Sequence, residues 1–198
     1  MKEQWIEAPR IEGNQDLAEK FGVSPMAMRL LRSRAGESEA EIRSYLYGTL
    51  EDLADARLMK GMEAAVALLL RKIREGAPIR IIGDYDIDGV NATHILVTGL
   101  RRAGARVDTV IPDRLKDGYG INEHLIEQAK DAGIDTIVTC DNGIAAAKEI
   151  AYAKELGMTV IVTDHHEIPY REEPDGSRTT ILPPADVIVN PKQADCPY

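Results

Sequence analysis

With 198 residues, 44 % of them hydrophobic and 29 % charged, the chain has room for one good-sized domain, or one domain with a small appendage. Two cysteines, Cys140 and Cys196, exclude a disulfide framework or a cysteine-rich zinc site. The net charge of -9 argues against a basic surface that grips duplex DNA by charge alone, although bound cations would offset some of the acids. The longest unbroken apolar run, 64–70, is too short to span a bilayer, and Met1-Lys2-Glu3-Gln4 leads into no apolar signal region. A cytoplasmic protein with no membrane partner is expected.

Residues 1–76 read as helical. Ser24-Pro25 is a cap followed by a first-turn proline, opening a short segment through Leu31. Ser38 precedes Glu41 in capping-box spacing and starts a second segment that runs to Tyr47. Leu58, Met62, Val66, Leu69 and Ile73 repeat at three- and four-residue steps, with Gly76 just past the end, which predicts a third helix. These stripes read as packing surfaces rather than cofactor contacts, and Trp5 has no readable role. From Ile79 the pattern changes to short β-branched runs at 79–82, 107–111, 136–139, 159–163 and 187–189. Helical stretches at about 91–103, 122–132 and 144–156 separate the first four. The alternation predicts an α/β fold, a mostly parallel five-stranded sheet with helices on both faces. That sheet domain is expected to occupy 77–198, preceded by a small helical region, 1–76, packed on it. The stretch 170–184, with Pro174, Gly176, Pro183 and Pro184, reads as an exposed loop.

In such a sheet, ligands bind beyond the carboxyl ends of the strands. Four consecutive strands deliver polar clusters there: Asp84, Asp86 and Asp88; Asp113-Arg114; Asp141-Asn142-Gly143; and Asp164-His165-His166. Three anions within residues 84–88 repel one another unless a cation holds them, and oxygen ligands at this spacing suit a hard divalent metal. Asp-x-Asp-x-Asp-Gly also fills the first six places of a calcium loop. The ninth place then falls on Ala92 and the twelfth, which must be a bidentate glutamate, on Ile95, so that reading fails.

Carboxylates and imidazoles without a thiolate cluster favour Mn2+ or Mg2+ over a structural zinc, and the paired histidines tilt the choice towards manganese. Five or six candidate ligands exceed what one ion needs while keeping a place for substrate. Two ions are expected, with Asp141 as the bridging carboxylate. Asn142 and Gly143, at a helix start, are placed to hold a phosphate oxygen, and Arg114 with Lys116 to neutralise a second phosphate. Each of these residues has a plainer reading. The histidines could be one packed and one solvent-facing ring, Asp141-Asn142-Gly143 a simple turn, and Arg114 the ion-pair partner of Asp113 or Asp117. His94 and His124 lie in helical patterns and read as structural, as does Cys140 in its strand.

Taken together, Gly83-Asp84-Tyr85-Asp86-Ile87-Asp88-Gly89, Asp141-Asn142-Gly143 and Asp164-His165-His166 resemble the signature motifs of the DHH phosphoesterase superfamily. Ile111-Pro112-Asp113-Arg114 leading to Gly118-Tyr119-Gly120, together with Val189-Asn190-Pro191, narrows the resemblance to the RecJ family of single-strand-specific DNA exonucleases. The resemblance implies metal-assisted removal of mononucleotides from the 5′ end of single-stranded DNA in recombination and repair. Its implied partners are that strand and other repair proteins. It places Asp86, Asp88, Asp141, His165 and His166 on metal-binding, catalytic positions. Asp84 falls in the same motif as a ligand or its support, Asp164 orients the histidine pair, and Arg114 lies near substrate phosphate. Asn91 and His94 stand where the family usually carries small or hydroxylated residues, and the loop 168–184 is longer than usual.

In RecJ-like proteins a further aspartate ligand, a substrate-gripping domain and an oligonucleotide-binding domain come later. The chain is therefore expected to be the amino-terminal part of a longer protein, folding by itself but cleaving DNA poorly. Two competing functions remain: a DHH hydrolase of short oligonucleotides, cyclic dinucleotides or pyrophosphate, and a non-catalytic RecJ-like scaffold.

Overall fold

The computed structural model describes residues 13–198, so Trp5 and the earliest part of the expected helical region lie outside the described residues. The chain divides into two compact units, Met1–Ala54 and Asp55–Tyr198. In the first, α1 (Asn14–Phe21), α2 (Pro25–Arg32) and α3 (Glu39–Tyr47) close on a small core of Ala18, Phe21, Met28 and Ile42. The expected caps form. The Ser24 hydroxyl accepts from the Ala27 N–H ahead of Pro25, and Ser38 and Glu41 make a reciprocal capping box.

The second unit holds α4 (Met62–Arg74) and a five-stranded parallel sheet of β1 (Ile79–Ile82), β2 (Val107–Val110), β3 (Thr136–Cys140), β4 (Thr159–Thr163) and β7 (Val187–Val189), in the order β2-β1-β3-β4-β7. Because side chains alternate across a strand, each strand feeds both faces. Ile79, Ile81, Val138, Cys140 and Ile161 meet α4 and α5 (Ile87–Arg102) on one side. Ile82, Ile137, Val160 and Val162 meet α6 (Glu123–Asp131) and α7 (Ala147–Glu155) on the other. The expected α/β architecture is the observed one.

The boundary falls earlier than the one expected at residue 76. Ala65, Leu69 and Ile73 of α4 pack into the sheet's own core, and the buried Lys72 reaches Asp135 at the foot of β3 at 2.6 Å. The expected loop 170–184 is in part a two-stranded antiparallel hairpin, β5 (Tyr170–Glu172) with β6 (Arg178–Thr180). Arg178 lies 4.2 Å from the Tyr170 ring centroid across it. Among the described residues no helix is long and apolar enough to cross a membrane.

The strand order decides where a site can form. The chain leaves β1 towards β2 on one side and places β3 on the other, so the crevice beyond the ends of β1 and β3 is the topological switch point of the sheet.

Candidate metal centre

Asp84, separated from the end of β1 by Gly83, is buried, with Oδ1 lacking a hydrogen-bond partner. Asp86 caps α5, its Oδ1 accepting the N–H groups of Asp88 and Gly89 at 2.9 Å each. The helix thus begins four residues before the expected position, with Asp86 as its cap and Asp88 in its first turn. Gly89 is required there: a Cβ would lie 2.6 Å from both Cβ and the carbonyl oxygen of Asp84, a clash with backbone that no rotamer relieves.

Across the crevice Asp141 ends β3 at φ 62°, a left-handed conformation that costs a non-glycine residue on the order of 1–3 kcal/mol. Its Oδ1 lies 2.9 Å from His165 Nε2, and its Oδ2 is buried without a partner. Asp164, beyond β4, is an acceptor on both oxygens. Oδ1 takes the N–H groups of His165 and His166 and lies 2.7 Å from His166 Nδ1, and Oδ2 takes the Ile144 N–H at 2.9 Å. The imidazole of His166 therefore presents Nε2 to the crevice.

The structure gathers two groups of ligand atoms, each lying within 4.8 Å of one another: Asp84, Asp86 and Asp141, and Asp141, His165 and His166. Asp141 belongs to both. Asp88 belongs to neither, against expectation. It sits two residues past the Asp86 cap in the same helix, and side chains at that spacing do not face each other.

Three ionised carboxylates at this separation repel by roughly 3 kcal/mol per pair at an effective dielectric of about 20, before solvent screening of the exposed Asp86. Burial, opposed by His165 and reinforced by Asp86, pushes the Asp141 carboxyl above its ordinary value. The hydrogen bond to Asp164 raises the His166 imidazole. A crevice with unpartnered buried carboxylate oxygens, an oxygen-rich group and a nitrogen-containing group fits hard divalent cations.

Two expected phosphate contacts change. Asn142 is buried, its Nδ2 donating to the carbonyls of Ile82 and Cys140 while Oδ1 accepts from Ile121. Gly143 lies four residues ahead of α7, which starts at Ala147 rather than at 144. Arg114 does not take up the plainer ion-pair reading. Asp113 and Asp117 do not pair with it, because their carboxylates accept backbone N–H groups of the turn that carries it. Its guanidinium lies 5.3 Å from the Tyr85 ring centroid.

Two contributors had no role readable in the sequence. The Tyr119 hydroxyl approaches the Asp141 carbonyl at 3.3 Å and His166 Nε2 at 3.4 Å, and its ring meets those of Tyr85 and His166 edge-on. Burial and then the nearby carboxylates, Asp84 foremost, push that phenol up to about 12. Asn190, fully buried after β7, donates from Nδ2 to the His166 carbonyl at 3.1 Å. Gly118-Tyr119-Gly120 and Val189-Asn190-Pro191 were their only signals.

This fold and crevice agree with sequence comparison. The model of the DHH family, N-terminal domain, matches residues 78–197, and the chain belongs to that family. Within it, the chain is similar to the single-stranded-DNA-specific exonuclease RecJ of Bacillus subtilis (strain 168), 39 % identical over 198 residues, all of this chain and 24 % of that protein. A crystal structure of exonuclease RecJ bound to manganese is 36 % identical with a TM-score of 0.61, covering 72 % of this chain and 34 % of that one. RecJ from Thermus thermophilus in complex with Mn2+ is 28 % identical with a TM-score of 0.61, covering 98 % of this chain and 25 % of that one. The chain spans a quarter to a third of the length of the first curated relatives it matches.

Proposed function

We propose that the crevice is a two-metal phosphodiesterase centre that, within the whole protein, hydrolyses single-stranded DNA from the 5′ end in recombination and repair. The observation that carries this reading is the pair of ligand groups sharing Asp141. Asp84, Asp86 and Asp141 would hold one ion, and Asp141, His165 and His166 the other, with manganese favoured by the imidazoles and by the similarity to manganese-bound RecJ. Ions so held supply an activated water and neutralise charge on a phosphoryl group.

The chain's own residues do the rest. Asp164 fixes the His166 tautomer and ring, Asn190 holds the backbone that carries it, and Tyr119 packs its ring against His166. Arg114, turned over Tyr85, is positioned for a substrate phosphate. The test is digestion of 5′-labelled single and double strands by the intact protein with manganese. Wild type should shorten only the single strand, and Asp141→Ala should reduce the rate by at least about a thousandfold. A preference for pyrophosphate, or an active Asp141→Ala variant, would contradict the reading.

A further inference from the structure

Beside the metal centre lies a cavity of about 460 Å³, within the roughly 300–1,000 Å³ range of small-molecule sites. Its lining runs from Tyr119 to Ile121 and from Gly143 to Ala146, with Glu149 of α7, and it shares Asp164 and His166 with the metal centre. The side chains of the wall are apolar apart from the Tyr119 hydroxyl, the His166 imidazole and the two carboxylates, and no lysine or arginine lines it. Two of its backbone donors are already engaged: the Ile144 N–H by Asp164 and the Ala146 N–H by the Gly143 carbonyl.

A phosphate placed there would share the cavity with the Glu149 carboxylate, with neither a lysine or arginine nor those donors to offset it. An uncharged, flat, partly apolar group bearing hydrogen-bond donors would meet a matching wall, with Glu149 as acceptor. We infer that this cavity seats the nucleoside, base and sugar together, attached to the phosphate at the metal centre. Phosphates are left to the metals and to Arg114. The inference rests on the phosphodiesterase reading and deepens it by assigning a subsite and its specificity.

The test titrates the manganese-loaded intact protein with inorganic phosphate, 2-deoxyribose 5-phosphate and thymidine 5′-monophosphate. Thymidylate should bind at least about tenfold more tightly than either of the others. Ala145→Leu, at an exposed position on the lining, should remove that advantage while phosphate and manganese affinities stay within about twofold. Glu149→Gln, which keeps shape and volume, should reduce the advantage about threefold or more and leave manganese affinity unchanged. Equal affinities for the three ligands, or an advantage indifferent to both variants, overturn the inference. Manganese and phosphate binding without a nucleoside increment sinks the cavity alone; failure to bind either sinks the phosphodiesterase reading and the cavity with it.

Discussion

Asp141 sits in a left-handed backbone conformation with one carboxylate oxygen on His165 and the other buried without a partner, so its neighbours hold it against both strain and charge repulsion. Asp164 shows the complementary logic. Both of its oxygens accept N–H groups, three on Oδ1 and one on Oδ2 if His166 Nδ1 carries its proton. An asparagine would have to turn its NH2 towards other donors whichever way it faced. Asp164→Asn should therefore lower manganese affinity about 10–100-fold, read by titration. It should also cost roughly 1–3 kcal/mol of stability, read by denaturant unfolding. Unchanged values for both would remove Asp164 from its orienting role.

At the scale of elements, the strands were legible because they are short β-branched runs, as an apolar strand buried on both faces is when neighbours such as Ile81 and Ile82 feed opposite sides of the sheet. The clusters after β1, β3 and β4 were legible in turn, since strand ends in a parallel sheet share a rim. Helix starts were not. Asp86 and Asp88 read alike as strand-end ligands, and only the cap geometry shows that one aspartate joins the ligand cluster and the other does not. Asn142 was misread because an amide serving three backbone groups looks, in one dimension, like an amide kept for a ligand. The hairpin of β5 and β6 was hidden by its prolines and charges, which signal a loop whether or not its stems pair. Gly89 gives the sharpest test at this scale. Gly89→Ala drives a Cβ into Asp84, and should cost about 1–3 kcal/mol and weaken manganese binding together. A variant as stable as wild type would show that the β1-to-α5 turn relaxes freely.

Over the whole molecule, the net charge of -9 does not describe the site, where carboxylates are gathered for a local purpose and Arg114 lies nearby over Tyr85. Away from the crevice, Asp186 ties β7 to α7 and β4, accepting from Lys154 Nζ at 2.5 Å and from the Val160 N–H at 2.8 Å. Burial alone would raise its carboxyl, but these two donors outweigh burial and leave it below its ordinary 3.8. The contribution is therefore complete above that value and is lost as pH falls through the lower folded-state value. Asp186→Asn should cost about 1 kcal/mol near neutral pH, a figure kept small by partial exposure. The difference from wild type should begin to shrink in acid unfolding as pH falls below 3.8 and vanish once pH has passed the lower folded-state value. A constant difference across that range would assign the effect to packing instead.

The shared carboxylate makes the central claim countable. Manganese titration of the intact protein, followed by electron paramagnetic resonance, should show two bound ions with a spin-coupled signal, and Asp141→Ala should abolish the coupling. A single uncoupled ion in the wild type, or coupling that survives the loss of Asp141, would contradict the account.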